Sequence, residues 1–372
     1  MFLPWEEIKQ IEIRYIIVIL VIACISFMIY FVTGLAVGLV DTSHTTVDYW
    51  KAGGIILSRS SDKVITASLF DKMYIDEIAY QDKEAINVFP ALSYINGYTS
   101  QQNQINIVYL GVETNSDLVP PIVEGHRPEN LDETVVSVAL KQKKIQIGDT
   151  LEIANTGRRF TIVGFTELTS YSTIPVAYVD LDMASQSIMT SVPQEYEKQD
   201  DTMSEVSKEI NGIVIQGVNT APKHLPQGLE WVPMMEFIKK IPGYQEQVVT
   251  YGLIIGFMIG VTSIIIGIFP YILAVSKKSL FSLLEVKGMT KGRLTMTIVL
   301  QAVILTFIGL LLGFIMNCLI VYILPDFFPI EINMVFYSLI SIVAIVCACV
   351  GALLSIWMMS KGKYKEYELN QK

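Results

Sequence analysis

Charge is scarce in this sequence, and histidine and cysteine are scarcer still. Only 17% of the 372 residues are charged and 52% are hydrophobic, with mean hydropathy +0.47, whereas a soluble domain carries about a quarter charged residues. A large soluble enzyme is excluded, and the chain reads as a membrane protein. Basic residues are outnumbered 27 to 36, for a net charge of −9. Affinity for a phosphate backbone rests on Lys and Arg, so nucleic acid is excluded as a partner. The four cysteines, Cys24, Cys318, Cys347 and Cys349, all fall in apolar runs, and residues 41–247 contain none. That excludes a disulfide-stapled outer domain. Each cysteine reads as a small hydrophobe, and Cys347 and Cys349, two apart, face different sides of a helix and cannot clasp one metal. The three histidines, His44, His126 and His224, are far apart in sequence, and none stands near the second apolar run. His126 in EGHRP reads as a turn residue, because no second ligand stands at metal spacing around it. HExxH, CxxC and GxSxG are missing. The basic Gly segment GMTKGR, Gly288 to Arg293, lacks the spacing of a phosphate-binding loop. No catalytic seat, intrinsic cofactor or metal is expected, and any ATP hydrolysis must come from another chain.

What the sequence has in abundance is long apolar runs. A helix rises about 1.5 Å per residue, so about 20 apolar residues cross a bilayer core about 30 Å thick. Four runs qualify: Tyr15 to Val40, Val248 to Val275, Leu294 to Leu324 and Met334 to Met359, with no Asp, Glu, Lys or Arg in their interiors. The first is too long for a signal-peptide core and reads as a retained span. Charge-free interiors argue against a proton relay, and a four-span bundle encloses little lumen, which points to a path formed by a symmetric homodimer. Basic residues accumulate on the cytoplasmic side. Lys9 and Arg14 precede the first span, Lys277, Lys278, Lys287, Lys291 and Arg293 lie between the second and third, and Lys361, Lys363 and Lys365 follow the fourth. Both termini are therefore expected in the cytoplasm of a plasma membrane. Residues 41–247, with 28 acidic and 16 basic side chains, are expected outside.

The expected order is an N-terminal segment with the first span over 1–40, an extracytoplasmic domain over 41–247, the second span over 248–275, and a cytoplasmic coupling segment over 276–293. The third span over 294–324, an outer loop over 325–333, the fourth span over 334–359 and a cytoplasmic tail over 360–372 complete it. Short β-branched runs, TVVSVAL, DTLEI, RFTIVGF, IPVAYV and NGIVIQGV, alternate with Gly, Pro and Asn turns in the outer segment, predicting a mixed α/β domain. Thr190 to Lys208 is polar and acidic, and reads as its least structured part. The coupling segment SKKSLFSLLEVKGMTKGRL places Leu280, Leu283, Leu284 and Met289 among basic residues. It is amphipathic, suited either to anionic headgroups or to a groove on a partner.

LLEVKGMTKGRL followed by QAVILTFIGLLLG, together with EGHRPENLDETVVSVAL, IGDTLEI and RFTIVGF, resembles the FtsX/MacB-like, or type VII, ABC transporter permeases. The layout of one span, a domain of MacB-like periplasmic core type and three further spans matches that family. EIRYIIVILVIACISFMIYFVTGLAVGL, VDYWKAGGIILS and EFIKKIPGYQEQVVTYGLIIGF are most similar to HrtB-like haem-exporter permeases. The resemblance implies a homodimeric permease paired with a separate ABC ATPase that docks at Leu283, Leu284, Lys287, Gly288 and Met289. By this mechanotransmission the second span, with a bend at Pro270, carries motion outward to expel haem or a similar amphipathic compound. Iron needs an oxygen, nitrogen or sulfur donor. Tyr171 in SYSTIPVAY and Tyr244 in IPGY stand at positions like those that handle haem in such proteins, with Met234, Met235 and Glu236 expected one to three helical turns before Tyr244. Two other functions stay open: an FtsX-like regulator of a cell-wall hydrolase, and an exporter of antimicrobial peptide or lipid.

Overall fold

The computed structural model describes residues 13–80, 82–97, 104–113, 115–185, 209–276, 291–325 and 328–369. The chain divides into two compact units, Met1–Gly38 with Val249–Lys372, and Leu39–Val248. Three expectations lie outside the described residues: the acidic stretch 190–208, the coupling residues 277–290, and Lys9.

Four long helices, α1 (Ile13–Thr42), α5 (Tyr244–Ser276), α6 (Lys291–Ile323) and α7 (Met334–Leu369), carry segments long and apolar enough to cross a membrane: Tyr15–Thr42, Tyr244–Pro270, Thr295–Ile323 and Met334–Leu354. In hydrocarbon the backbone must satisfy its own polar groups, and an uninterrupted helix does so. α5 continues through Pro270 to Ser276, and α7 continues past residue 359 to Leu369.

Within the helical unit, small residues set the packing. A Cβ on Gly309 would lie 2.5 Å from Ile22 Cγ2, and one on Gly313 would lie 2.7 Å from the Ser26 Cβ, so α6 lies directly against α1 through a Gly-xxx-Gly face. One turn further on, buried polar groups join α1, α6 and α7. Tyr30 and Ser341 share a 2.6 Å hydrogen bond, and Asn317 Nδ2 donates to Tyr337 Oη at 3.2 Å. The Tyr30 and Tyr337 rings lie 5.0 Å apart. α5 reaches this bundle through Ile266 and through Gly267, whose backbone abuts Gly351.

Among the described residues, the second unit is built on a mixed sheet of eleven strands and a separate pair of strands. Its strands are β1 (Ala52–Ser58), β2 (Phe70–Asp71), β3 (Lys83–Ile95), β4 (Gln104–Val112), β5 (Ile122–Gly125), β6 (Glu133–Ser137), β7 (Thr150–Ile153), β8 (Arg159–Thr166), β9 (Ser170–Tyr171), β10 (Ile174–Asp180), β11 (Glu209–Ile210), β12 (Gly212–Gln216) and β13 (Leu229–Pro233). Short helices α2 (Thr45–Tyr49), α3 (Tyr74–Glu77) and α4 (Met234–Lys239) cover parts of it. The main order is β13-β1-β12-β3-β4-β10-β6-β8-β5, with β2 and β11 forming the separate pair; β10 runs parallel to β4 and β6 parallel to β8. Alternation along the strands feeds two apolar clusters. Val108, Leu110, Val176 and Tyr178 join one, while Ile107, Tyr109, Ala177 and Val179 join the other. A strand covered on both faces has no polar side to show, which is why these strands read as unbroken apolar runs.

The mixed α/β expectation holds, and the β-branched runs fall on β6, β7, β8, β10 and β12. One run is corrected in part. TVVSVAL is a strand only to Ser137, and Val138–Lys143 forms a 3-10 helix whose first turn is capped by Ser137 accepting from the Ala139 amide. Apolarity alone does not separate a buried strand from a buried turn of helix.

Candidate functional site

Within the second unit, three stretches distant in sequence converge: residues 41–49, the β9–β10 hairpin, and residues 241–247 at the start of α5. His44 is the hub. Its Nδ1 lies 2.8 Å from Asp48 Oδ2 and its Nε2 3.8 Å from Asp41 Oδ1, and its ring meets that of Tyr244 edge-on with centroids 5.6 Å apart. Ser43 Oγ donates to Gln247 Oε1 at 2.7 Å. Burial opposes a charge on His44, but the Asp48 hydrogen bond and the attraction of Asp48 and Asp41 together outweigh it and hold the imidazole above its ordinary 6.5. The C-terminal end of α1, two residues away, favours a cation for the same electrostatic reason.

The hairpin brings strain into this junction. Tyr171 pairs with Ile174, so Ser172 and Thr173 alone make the turn, at φ 53 and φ 65. A two-residue turn with both φ positive is normally Asn-Gly. A β-branched threonine there is an outlier, and such positions cost about 1–3 kcal/mol each. Hydrogen bonds hold the turn in place. The Ser172 amide donates to Ser43 O at 2.8 Å, Ser172 Oγ to Pro242 O at 2.6 Å, and Thr173 Oγ1 to Ser172 O at 2.6 Å. Behind it the Ser170 amide donates to Thr45 Oγ1 at 2.8 Å, and Tyr49 Oη donates to Glu167. Burial, with the carboxylate of Glu167 beside it, pushes the Tyr49 phenol up to about 12.

Of the five residues expected at a binding site, three gather on one apolar cluster. Tyr171, 5% exposed, is part of it with Trp50, Phe237 and Ile241, and Tyr244 and Met234 pack against it. Burial drives the Tyr171 phenol far above the usual tyrosine range, so as placed it serves as a wall and not as an ionised donor. Met235 is 69% exposed, and Glu236 is turned away onto Lys63 Nζ at 2.5 Å. The expected helical register is also corrected. Met234, Met235 and Glu236 lie on the separate helix α4, which stops at Lys239, and Pro242 and Gly243, at φ 83, break the chain before α5 begins at Tyr244. Turns counted back from Tyr244 along one helix therefore do not apply. The residues expected to dock an ATPase, Leu283, Leu284, Lys287, Gly288 and Met289, lie outside the described residues. Among the described residues no three His, Cys, Asp or Glu side chains are grouped to hold a metal ion.

Sequence reasoning missed His44. It is 200 positions from Tyr244, and the signal that could have marked it is Asp41-x-x-His44-x-x-x-Asp48 directly after the first span, a spacing that folds two carboxylates around one imidazole.

Residues 252–363 match the FtsX-like permease C-terminal family model. The chain is 24% identical over 362 residues, 97% of each chain, to a Staphylococcus epidermidis protein named as hemin transport system permease protein HrtB. It is 22% identical over 357 residues, 95% of each, to the Staphylococcus haemolyticus protein of that name. Among solved structures it is similar to the extracellular domain of the ABC-type transporter YknZ from Gram-positive bacteria, at 12% identity and TM-score 0.32 over 48% of this chain and 98% of that one. It is also similar to the periplasmic region of MacB from Actinobacillus actinomycetemcomitans, at 10% identity and TM-score 0.28 over 50% and 91%. The expected FtsX/MacB-like, HrtB-like resemblance is borne out, and the chain is a multi-pass membrane protein.

Proposed function

We propose that this chain, whose residues 252–363 match the FtsX-like permease C-terminal family model, is the permease subunit of a bacterial ABC exporter that expels haem from the membrane. The observation that carries the reading is similarity along nearly the whole chain to permeases named for hemin transport. The clustering of Tyr171, Tyr244 and Met234 on one apolar surface beside His44 supports it. A planar macrocycle gains about 25 cal/mol per Å² of apolar surface buried. That would hold many greasy compounds, so discrimination must come from a donor atom for the iron. Tyr244, half-buried at the start of α5, is the candidate to meet the cargo, with Tyr171 and Met234 as apolar lining. ATP hydrolysis is assigned to a separate ABC ATPase acting through Leu283, Leu284, Lys287, Gly288 and Met289. The working unit is a homodimer in the plasma membrane, with both termini cytoplasmic and residues 41–247 outside.

The test is a haem titration of the purified chain in lipid nanodiscs. A Soret shift is expected with the wild-type chain, and Tyr244→Phe, which keeps the ring and removes the oxygen, should weaken it. If haem adds without spectral change, and cells lacking the protein tolerate haem normally, the cargo is another compound. Orientation is tested separately in a background without native cysteines. An impermeant maleimide applied to intact cells should label Lys143→Cys and spare Ser279→Cys, and the reverse result would invert the topology.

A further inference from the structure

The backbone strain at Ser172 and Thr173 has no role in holding the sheet together. β9 and β10 pair by only two residue pairs, and an Asn-Gly turn would close the same hairpin without forcing a β-branched residue into the left-handed region. Strain of this kind persists only where surrounding contacts over-determine it. Here those contacts point away from the hairpin: the Ser172 amide reaches Ser43 O, just past α1, and Ser172 Oγ reaches Pro242 O, just before α5. Pro242 has no amide of its own to fix it. The neighbouring Gly243, at φ 83, takes the left-handed conformation open to glycine, so the link into α5 is not continuous helix, and the Ser172 hydroxyl adds a tie to it from outside. The two segments are also tied to each other, Ser43 to Gln247 and His44 to Tyr244. The strained turn thus contacts both sides of one joint.

We propose that Ser172 and Thr173 are positioning residues for Tyr244. The hairpin tip is held in a strained turn so that its amide and hydroxyl can clamp Ser43 and Pro242 together and fix the first turn of α5. In the engaged state the strain is balanced by the hydrogen bonds to Ser43 and Pro242. In the released state those bonds are lost, the turn relaxes, and Tyr244 moves free of a fixed distance from the apolar cluster around Tyr171. As a statement about cargo this rests on the proposed haem reading, but as a statement about the joint it does not.

The experiment uses the full chain in lipid nanodiscs and compares the wild-type chain with Ser172→Ala, which removes the hydroxyl half of the clamp, and with Ser172→Gly plus Thr173→Gly, which removes the same hydroxyl and relieves the strain of the turn. Hydrogen exchange is followed at the Tyr244 and Gln247 amides, which bond to Ile241 O and Gly243 O. Both variants should exchange there about five-fold faster, the effect of losing one neutral hydrogen bond, while amides of β3, β4 and β10 keep their rates. The double variant should do so while its thermal stability rises. A merely structural turn cannot give that combination, because relaxing it would slow exchange wherever it acts. Wild-type exchange rates at Tyr244 and Gln247 in both variants would overturn the proposal, as would acceleration spread evenly over the sheet. A haem titration of the same samples separates the two readings. If the wild-type chain shows no Soret shift but exchange responds as described, the haem reading fails and the clamp stands. If the shift is present and both variants keep it undiminished despite faster exchange, positioning of Tyr244 toward cargo is refuted.

Discussion

Helix α5 and the other three long helices are all apolar enough to cross a membrane and differ in how they are held. In the candidate spans of α1, α6 and α7, 39%, 44% and 33% of the most apolar window is buried, against 11% for α5. α1, α6 and α7 meet through Gly309 and Gly313 and through the hydrogen bonds of Tyr30, Ser341, Asn317 and Tyr337. α5 touches them at Ile266 and Gly267, while Leu253 and Phe257 are 70% and 72% exposed and, among the described residues, nothing lies within 4 Å of a Cβ on Gly252, Gly256 or Gly260. Apolarity gives no net attraction between helices in lipid, where the tails are as apolar as leucine. Close backbone approach and interhelical hydrogen bonds decide association instead; α5 uses Gly267 for it, against Gly351, while among the described residues its Gly252, Gly256 and Gly260 meet no neighbour.

The comparison is broken most severely at the α1–α6 contact. Gly313→Leu would drive a side chain into Ser26 and the backbone of Ala23, and thermal unfolding in nanodiscs should show a loss of about 3 kcal/mol or more. Gly256→Leu, with nothing to meet, should change stability by less than about 0.5 kcal/mol. Equal losses would mean that α5 is packed as firmly as the rest. A milder test is Tyr30→Phe, which removes the hydroxyl bonded to Ser341 and should cost about 1 kcal/mol. An unchanged midpoint would show that hydrogen bonding adds nothing to the small-residue packing of those three helices.

The smallest effect concerns the junction that fixes the first turn of α5. The pKa of folded His44 lies above 6.5. Its contribution is therefore fully present below the ordinary histidine range and is lost as pH rises through the folded value. Asp48→Asn should lower the His44 pKa measured by imidazole NMR, and with it the pH at which protection of the Tyr244 amide declines. If the variant titrates like the wild-type chain, the pair at 2.8 Å has no electrostatic weight.

Much of this molecule was legible in the sequence because it follows from local composition. Runs of more than 20 apolar residues between Tyr15 and Val40 or between Met334 and Met359 have one stable form in lipid, the helix. Doubly buried strands such as RFTIVGF announce themselves by continuous apolarity. The break that separates Met234 and Glu236 from Tyr244 was written as IPGY, and Pro-Gly there outweighs the helical spacing that would join them. What no local pattern held was the junction. His44 meets Tyr244, and Ser172 meets both Ser43 and Pro242, only because a sheet whose strands are out of chain order returns residues 170–173 and 241–247 to the end of α1. Likewise, four runs of similar hydropathy gave no hint that α5 would be the one left uncovered. Hydropathy measures preference for lipid over water, and which helix packs on which is settled by where glycines and buried hydroxyls face each other in three dimensions.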